Sequence, residues 1–160
     1  MAQRKKKNKN TVHLAIKGFM RAQIVDKKTG RVVGDSGDVE NQITNYGLNN
    51  CFLGGPGAAA GSVQIAGLML GNGTVPASDA TELPSKNTDY YSTVGEAING
   101  STQLRLTQTF DGTLGAATFA NMGLLAASSG SLICGGTFAS SALATTQDIN
   151  LTYNLNLATS

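Results

Sequence analysis

Few residues in this chain are of a type that does chemistry. His13 is the only histidine, and no acid or thiol stands close to it in the sequence. A Ser-His-Asp triad uses a histidine as its base, so such a triad would have to use His13. We expect His13 instead to be a solvated or hydrogen-bonded residue on the polar side of a strand. The sequence therefore predicts a protein that is not an enzyme.

Clusters of carboxylates and glycine-rich loops are the features of this sequence that could bind metal ions or phosphate. Asp35, Asp38 and Glu40 are the only cluster of acids, and carboxylate oxygens are what Ca²⁺ prefers. Their spacing does not match an EF-hand loop, so a solvated turn is the favoured interpretation. The stretches GPGAAAG and GNG lack the Gly-Lys-Ser/Thr ending of a phosphate-binding loop. We predict no cofactor, no metal and no small-molecule substrate.

The two cysteines, Cys51 and Cys134, stand among apolar neighbours and lack the spacing of a metal site. We expect both to be buried free thiols. Lys17 interrupts the only apolar stretch near the N-terminus, which argues against a secretory signal. No stretch approaches the roughly 18 apolar residues of a membrane span. We therefore expect a protein that is made in a cytoplasm and has no membrane partner.

The chain opens with a strongly basic segment, MAQRKKKNKN, which has too little apolar surface to fold alone. Three roles remain open: contact with nucleic-acid phosphate, docking on an acidic side of a neighbouring subunit, or solvation. The segment has no aromatic residue to stack on bases. We predict docking on a neighbour, with nucleic acid as the alternative. The contact residues would be Arg4, Lys5, Lys6, Lys7 and Lys9.

Charge is distributed unevenly along the chain. Residues 1–31 hold ten Lys or Arg and one acid, whereas residues 32–160 hold two Lys or Arg and nine acids. Charged residues make up only 14%, against about 25% in an average soluble domain. A sequence so rich in small uncharged residues is typical of a protein that buries much of its outside against neighbours. The basic head of one copy could then dock on the acidic body of the next.

Two-residue alternation marks the strands. Even positions from Val12 to Ile24 are apolar, which predicts a long half-buried strand with a bulge or bend at Gly18. Gly30 would supply the left-handed residue of the following turn, and residues 31–33 would return as the partner strand. Near the C-terminus the same pattern predicts one strand over DINLTYNLNL. Its apolar positions are Ile149, Leu151, Tyr153, Leu155 and Leu157.

The middle of the chain has more varied signals. A short helix is predicted within residues 41–53, capped by Thr44 or Asn45 and weakened by Gly47. The nearly all-apolar VQIAGLML predicts a strand buried on both faces, and a long connection follows it. Further strands are predicted at 92–98, with a turn at Asn99-Gly100, and at 104–110, 119–125 and 132–138.

These elements predict an all-β fold. We expect an antiparallel β-sandwich or jelly-roll-like domain of about eight strands with a short helix over residues 11–160, preceded by the basic arm 1–10. The pair Tyr90-Tyr91 is the only aromatic patch that would suit a carbohydrate-binding module. We expect it to pack on its own domain instead.

Three stretches carry a resemblance to a known class of proteins. They are DKKTGRVVGDSGDVENQITNYGLN, LGNGTVPASDATEL, and MGLLAASSGSLICGGTF together with the closing INLTYNLNL. In this order, over residues 19–157, they resemble small all-β structural virion proteins of tailed bacteriophages, of the tail-fibre-like or decoration-like kind. The matching loop positions are Gly71, Gly73, Pro76, Ala77, Asp79 and Leu83.

The resemblance implies a structural component of a virion, such as a head decoration or cement protein, or a tail or fibre-base protein. Its partners would be copies of itself and other virion proteins, and its location the virion. The alternative is a capsid shell protein whose basic arm contacts packaged nucleic acid. Asn45 and Gly47 suit a chain reversal, and Asp79 suits an Asx turn in its own loop. The Lys-rich arm and Thr81 depart from the pattern.

Overall fold

The computed structural model describes residues 14–53, 65–93, 96–99, 103–126 and 130–159, which form an all-β sandwich of two antiparallel sheets. A short helix spans Gly47–Leu53, and a 3₁₀ turn spans Gly112–Leu114. No helix in this part of the chain has the length and apolar character that crossing a membrane would require. The strands described are β1 Leu14–Asp26, β2 Val32–Asp35, β3 Val39–Glu40, β4 Gln42–Ile43, β5 Ile65–Gly71, β6 Lys86–Thr93, β7 Glu96–Asn99, β8 Gln103–Asp111, β9 Ala117–Ala126, β10 Leu132–Leu143 and β11 Gln147–Thr159.

Each sheet has its own strand order. Sheet A has the order β2-β1-β11-β8-β7, with β3 also paired to β1. Sheet B has the order β4-β10-β9-β5-β6. The expectation of a sandwich is confirmed, but the described residues contain eleven strands rather than about eight. Part of the excess comes from β3 and β4, which are two residues long and leave no periodic pattern to detect.

The longest pairing joins the two ends of the chain. β1 and β11 run side by side from Leu14 opposite Thr159 to Asp26 opposite Gln147. We expected a bulge or bend at Gly18, but the register passes through it unbroken. Glycine is needed there for a different reason. A Cβ at Gly18 would lie 2.4 Å from the Tyr153 hydroxyl oxygen and 2.3 Å from Asn41 Oδ1.

The core lies between the sheets and follows the predicted alternation. Met20, Ala22 and Ile24 of β1 are buried, as are Ile149 and Tyr153 of β11. Each large apolar side chain that is fully buried contributes about 1.5–3 kcal/mol. Outward positions between them remain polar, so one face of sheet A lies in the core and the other faces solvent.

An aromatic cluster closes one part of this core. Tyr90 of sheet B packs edge-on against Phe119, with ring centroids 4.6 Å apart, and lies 6.0 Å from Phe110 of sheet A. The Tyr90 hydroxyl donates to the Gly115 carbonyl. The expectation that the tyrosine pair packs on its own domain is correct for Tyr90, whereas Tyr91 is 40% exposed.

The predicted strand over residues 92–98 is wrong as a single element. β6 begins earlier, at Lys86, and ends at Thr93 in sheet B, whereas β7 belongs to sheet A. The residues Lys86–Tyr91 show no strand pattern in the sequence. They form an edge strand whose pairing is irregular, with a register shift opposite Met69–Gly71. A change of sheet along the chain leaves no signal in local periodicity.

β5 is buried on both faces, as expected. Leu68 and Leu70 point into the main core, and Met69 points to the opposite side. There Met69 lies in a second apolar cluster with Leu83, Leu125 and Leu132. The long connection 72–85 supplies Leu83 and therefore covers the outer face of sheet B.

Candidate functional site

Several residues singled out in the sequence lie outside the described part of the structure. These are Gly100, the GPGAAAG loop, His13, and the arm residues Arg4, Lys5, Lys6, Lys7 and Lys9. Asn99 is the last residue of β7 and pairs with Leu104, so it is a strand residue and not the first turn residue that was predicted.

The turn after β1 is organised by one carboxylate. Asp26 accepts hydrogen bonds from the Thr29 N–H at 2.8 Å and from the Thr29 hydroxyl at 2.7 Å. These bonds lower the pKa of Asp26. Gly30 adopts a positive φ of 68° and donates its N–H to the Asp26 carbonyl at 2.8 Å. Gly30 therefore occupies the left-handed position of this turn.

Asn45 and Gly47 contact the loop that contains Asp79 and strand β10 of sheet B. Asn45 donates its backbone N–H to the Ser78 carbonyl at 2.6 Å. Gly47 lies so close to β10 that a Cβ would fall 2.1 Å from the Ile133 carbonyl oxygen. The expected Asx turn of Asp79 is not formed, since its exposed side chain makes no hydrogen bond among the described residues. The turn is closed by the backbone instead, with the Ala80 N–H donating to the Ala77 carbonyl at 3.1 Å.

Thr44 connects the short helix to β10. Its hydroxyl donates to the Leu132 carbonyl at 2.6 Å and accepts from the Gly47 N–H at 3.1 Å. Of the two caps considered, Thr44 is the residue whose side chain bonds the first helical turn. The Leu132 N–H donates to the Thr81 carbonyl at 2.9 Å. We refer to residues 44–47 and the loop 72–85, which contact Leu132 and Ile133 of β10, as the outer layer.

Asn121 holds the loop of the outer layer at both ends. Its side-chain amide donates to the Thr74 carbonyl at 3.2 Å and to the Pro84 carbonyl at 2.9 Å. Asn121 is fully buried in β9. Sequence reasoning missed this residue. The available signal was a single amide inside a largely apolar strand, where a buried polar group needs partners.

The acids are held by scaffold contacts. Asp35 accepts from Arg21 Nε at 2.9 Å, from the Gln23 amide at 2.9 Å and from the Gly37 N–H at 2.9 Å. The Arg21 hydrogen bond is the main reason why the pKa of Asp35 lies well below its usual range. Among the described residues, no three His, Cys, Asp or Glu side chains are arranged so that they could hold a metal ion. This applies to Asp35, Asp38 and Glu40 as well.

The thiols differ from each other in exposure. Cys134 is fully buried and donates to the Tyr153 hydroxyl at 3.2 Å, and burial raises its pKa to about 12. Asn41 also donates to that hydroxyl, at 3.1 Å. Cys51 is only half-buried, so the expectation of two buried thiols is correct for Cys134 alone. A thiol as deeply buried as Cys134 is a poor nucleophile.

The outward side chains of β1, β8 and β11 form what we call the polar face of sheet A. It contains a shallow cleft of about 310 Å³. Asp38 lines the cleft beside Arg21. The pKa of Arg21 is raised mainly by its hydrogen bond to Asp35 and, to a smaller degree, by the charge of Asp38. The other residues that line the cleft are Arg21, Gln23, Gln103, Arg105, Thr152 and Asn154.

Strand register brings these side chains together. Arg21 stands opposite Thr152, and Asn154 stands between Phe19 on one neighbouring strand and Arg105 on the other. Arg105 is exposed, and none of the ion pairs found among the described residues involves it. The alternation in β1 and β11 predicted polar outward positions. The position of Arg105 beside Asn154 depends on β8 pairing with β11, which no local pattern indicates.

The chain was compared with models of protein families, with curated proteins and with solved structures, and none of them matches it. Function must therefore be inferred from the residues and their geometry. Two features stand out: an outer layer built from separated segments, and a polar face with an exposed arginine.

Proposed function

We propose that this protein is a structural subunit of a bacteriophage virion, either a head decoration or cement protein or a tail or fibre-base protein. It would assemble with copies of itself and with other virion proteins through strand edges and its N-terminal arm. Fold alone does not determine function, so the proposal depends on the three stretches that resemble virion proteins.

One observation carries the proposal: parts of all three stretches meet where the outer layer contacts β10. Asn45 and Gly47 belong to the first stretch, Ser78 to the second and Ile133 to the third. The bond from Asn45 to Ser78 and the close approach of Gly47 to Ile133 join them. Residues that stabilise a fold are expected to be the same in related proteins. Their convergence supports reading the three short likenesses as one.

Open strand edges support assembly by pairing with other chains. Among the described strands, β6 ends sheet B and β7 ends sheet A, each with a neighbour on one side. An edge strand presents unpaired N–H and C=O groups to which another chain can add a strand. The basic head and acidic body of the chain would favour head-to-body contacts between copies.

Immunogold labelling of purified particles would test the proposal, with antibody raised against residues 32–160. Label over intact heads would indicate a decoration protein, and label on the tail or its tip a tail or fibre-base protein. Label seen only after osmotic rupture would favour an internal shell protein. Absence of label from intact and ruptured particles would overturn the virion assignment.

A second candidate is a shell protein whose arm contacts packaged nucleic acid. The specific observation in its favour is that Arg4, Lys5, Lys6, Lys7 and Lys9 precede β1, the strand that also carries Lys17 and Arg21 on the polar face. Retention on immobilised DNA should be measured for the full chain and for a chain lacking residues 1–10. Salt-sensitive retention that disappears with the arm would support this candidate, and no retention by the full chain would remove it.

A further inference from the structure

The polar face has features that the scaffold does not require. Asn154 and Asn156 point outward from β11, although asparagine is disfavoured in strands. Asn150 on the same face accepts a hydrogen bond from the Thr109 hydroxyl at 2.7 Å. No such side-chain bond involves Asn154 or Asn156 within the described residues. Their amides are therefore available to bind a ligand.

The unpaired positive charge lies beside these amides. Arg21 is neutralised by Asp35 through two hydrogen bonds. Arg105 has no such partner in the described chain, and it stands next to Asn154. Lys17, opposite Asn156, is exposed at the same end of the face. A ligand of this region would carry negative charge and hydrogen-bonding groups.

The composition of the cleft favours nucleic acid over a protein segment. Protein interfaces bury an apolar and aromatic centre, whereas interfaces with nucleic acid are polar and positively charged. The cleft is lined by amide, hydroxyl and guanidinium groups and, beside Arg21, by the Asp38 carboxylate. A half-buried aromatic ring, Phe19, lies on the same face across Asn154 from Arg105. Proteins that bind single strands combine cations that contact the backbone with aromatic side chains that stack on bases, and Arg105 and Phe19 offer one of each on this face.

The arm precedes this same sheet. Thirteen residues stand before Leu14, and fully extended they could span about 40 Å. Five strands side by side are only about 20 Å wide. Arm and polar face could therefore contact one polyanion at the same time. A flat sheet cannot enter the major groove of a duplex, which admits a helix or a two-stranded ribbon.

We infer that the polar face of sheet A binds single-stranded nucleic acid, with Arg105 on a phosphate and Asn154 and Gln103 on sugar or base edges. Asp35, Asp38 and Glu40 lie on the β2–β3 side and would repel a phosphate backbone. The strand would therefore run over β8 and β11, from Arg105 towards Lys17. This inference goes beyond the structural role proposed above and does not require that role to be correct.

Fluorescence anisotropy with a labelled 20-nucleotide oligothymidylate would test it on the full chain. We expect Arg105→Gln to weaken binding about tenfold and to reduce the salt slope by about 0.7, the loss of one phosphate contact on a single strand. Arg31→Gln is the matched control. It removes one charge that is also exposed, between β1 and β2, and should weaken binding less than twofold.

A neutral substitution separates a specific site from general charge. Asn154→Ala should weaken binding about threefold with no change in the salt slope, because it removes hydrogen bonds and no cation. Circular dichroism would verify that each variant is folded. Equal losses for Arg105→Gln and Arg31→Gln, or no binding by the full chain, would overturn the inference. So would displacement of the oligonucleotide by equimolar polyglutamate, since the face would then accept an acidic protein segment.

Discussion

Small side chains determine how closely the outer layer approaches sheet B. Thr44 places one hydroxyl between the Leu132 carbonyl and the Gly47 N–H, and Gly47 leaves room for the Ile133 carbonyl. Neither residue can be replaced by the amino acid that is closest to it in shape. Valine has the shape of threonine without the hydroxyl, and alanine adds one methyl group where backbone already stands.

We predict that Thr44→Val lowers the free energy of unfolding by about 1–3 kcal/mol, because a buried carbonyl and a buried N–H lose their partner. Urea denaturation would measure the difference. Thr118→Val is the control, since Thr118 is exposed on β9 and should change stability by less than about 0.5 kcal/mol. Equal effects of the two substitutions would contradict the role of the Thr44 hydroxyl.

Gly47→Ala should destabilise the protein by about 1–3 kcal/mol, since the new Cβ would overlap the Ile133 carbonyl and force the helix away from β10. Thermal unfolding followed by circular dichroism would detect the shift. Gly34→Ala offers a matched comparison. Its Cβ would have ordinary contacts, the nearest at 3.5 Å from Ile24 Cβ, and should leave the melting temperature nearly unchanged.

At the scale of elements, a lysine joins the turn after β1 to the ends of β8 and β11. Lys27 Nζ contacts Asp111 and lies 3.4 Å from Asp148 Oδ1. Asp111 also accepts from the Thr113 N–H at 2.7 Å and so caps the 3₁₀ turn. The Lys27 bond, followed by the Thr113 bond, lowers the pKa of Asp111 to about 2.

This lowered pKa makes a prediction about acid stability. A carboxyl with a depressed pKa in the folded state stabilises the protein above its unfolded value, near 3.9, and loses that contribution as pH falls towards 2. In Lys27→Met the pKa of Asp111 should rise, and the loss of stability between pH 4 and pH 2 should be smaller. Melting temperatures at pH 6, 4 and 2 would measure this.

Lys28→Met provides the control for that measurement, because Lys28 is exposed in the same turn and none of the ion pairs among the described residues includes it. It should reproduce the acid response of the unaltered protein. An identical response of both variants would show that the contact of Lys27 with Asp111 contributes nothing in solution.

At the scale of the whole molecule, the two sheets are joined by apolar packing and, within the described residues, by a buried polar contact. Tyr153 of sheet A accepts a hydrogen bond from Cys134 of sheet B inside the core. Thiol reagents can reach Cys134 only when the sheets separate. Cys51, half-buried at the edge of the core, needs a smaller opening.

We expect Cys51 to react with a thiol reagent at neutral pH much faster than Cys134. Mass spectrometry of peptides from time points would assign each modification. Adding urea below the unfolding midpoint should increase the modification rate of Cys134 in proportion to the unfolded fraction. The modification rate of Cys51 should change less. Comparable rates for both thiols in native buffer would mean that the sandwich opens locally at β10.

The sequence alone determined the fold class and much of the scaffold. Alternation in β1 and β11, the apolar run of β5 and the glycine of the first turn are local signals, because side-chain period and backbone conformation act within a few residues. The polar outward positions of β1 and β11, and hence part of the cleft, followed from the same alternation.

Only the tertiary structure decided which elements meet. The assignment of β6 and β7 to opposite sheets, the covering of sheet B by the outer layer and the need for glycine at Gly18 all depend on segments far apart in the chain. Arg105 came to stand beside Asn154 for the same reason. Strands pair in the arrangement that buries whole apolar faces together. That arrangement depends on the complete core and not on any local stretch.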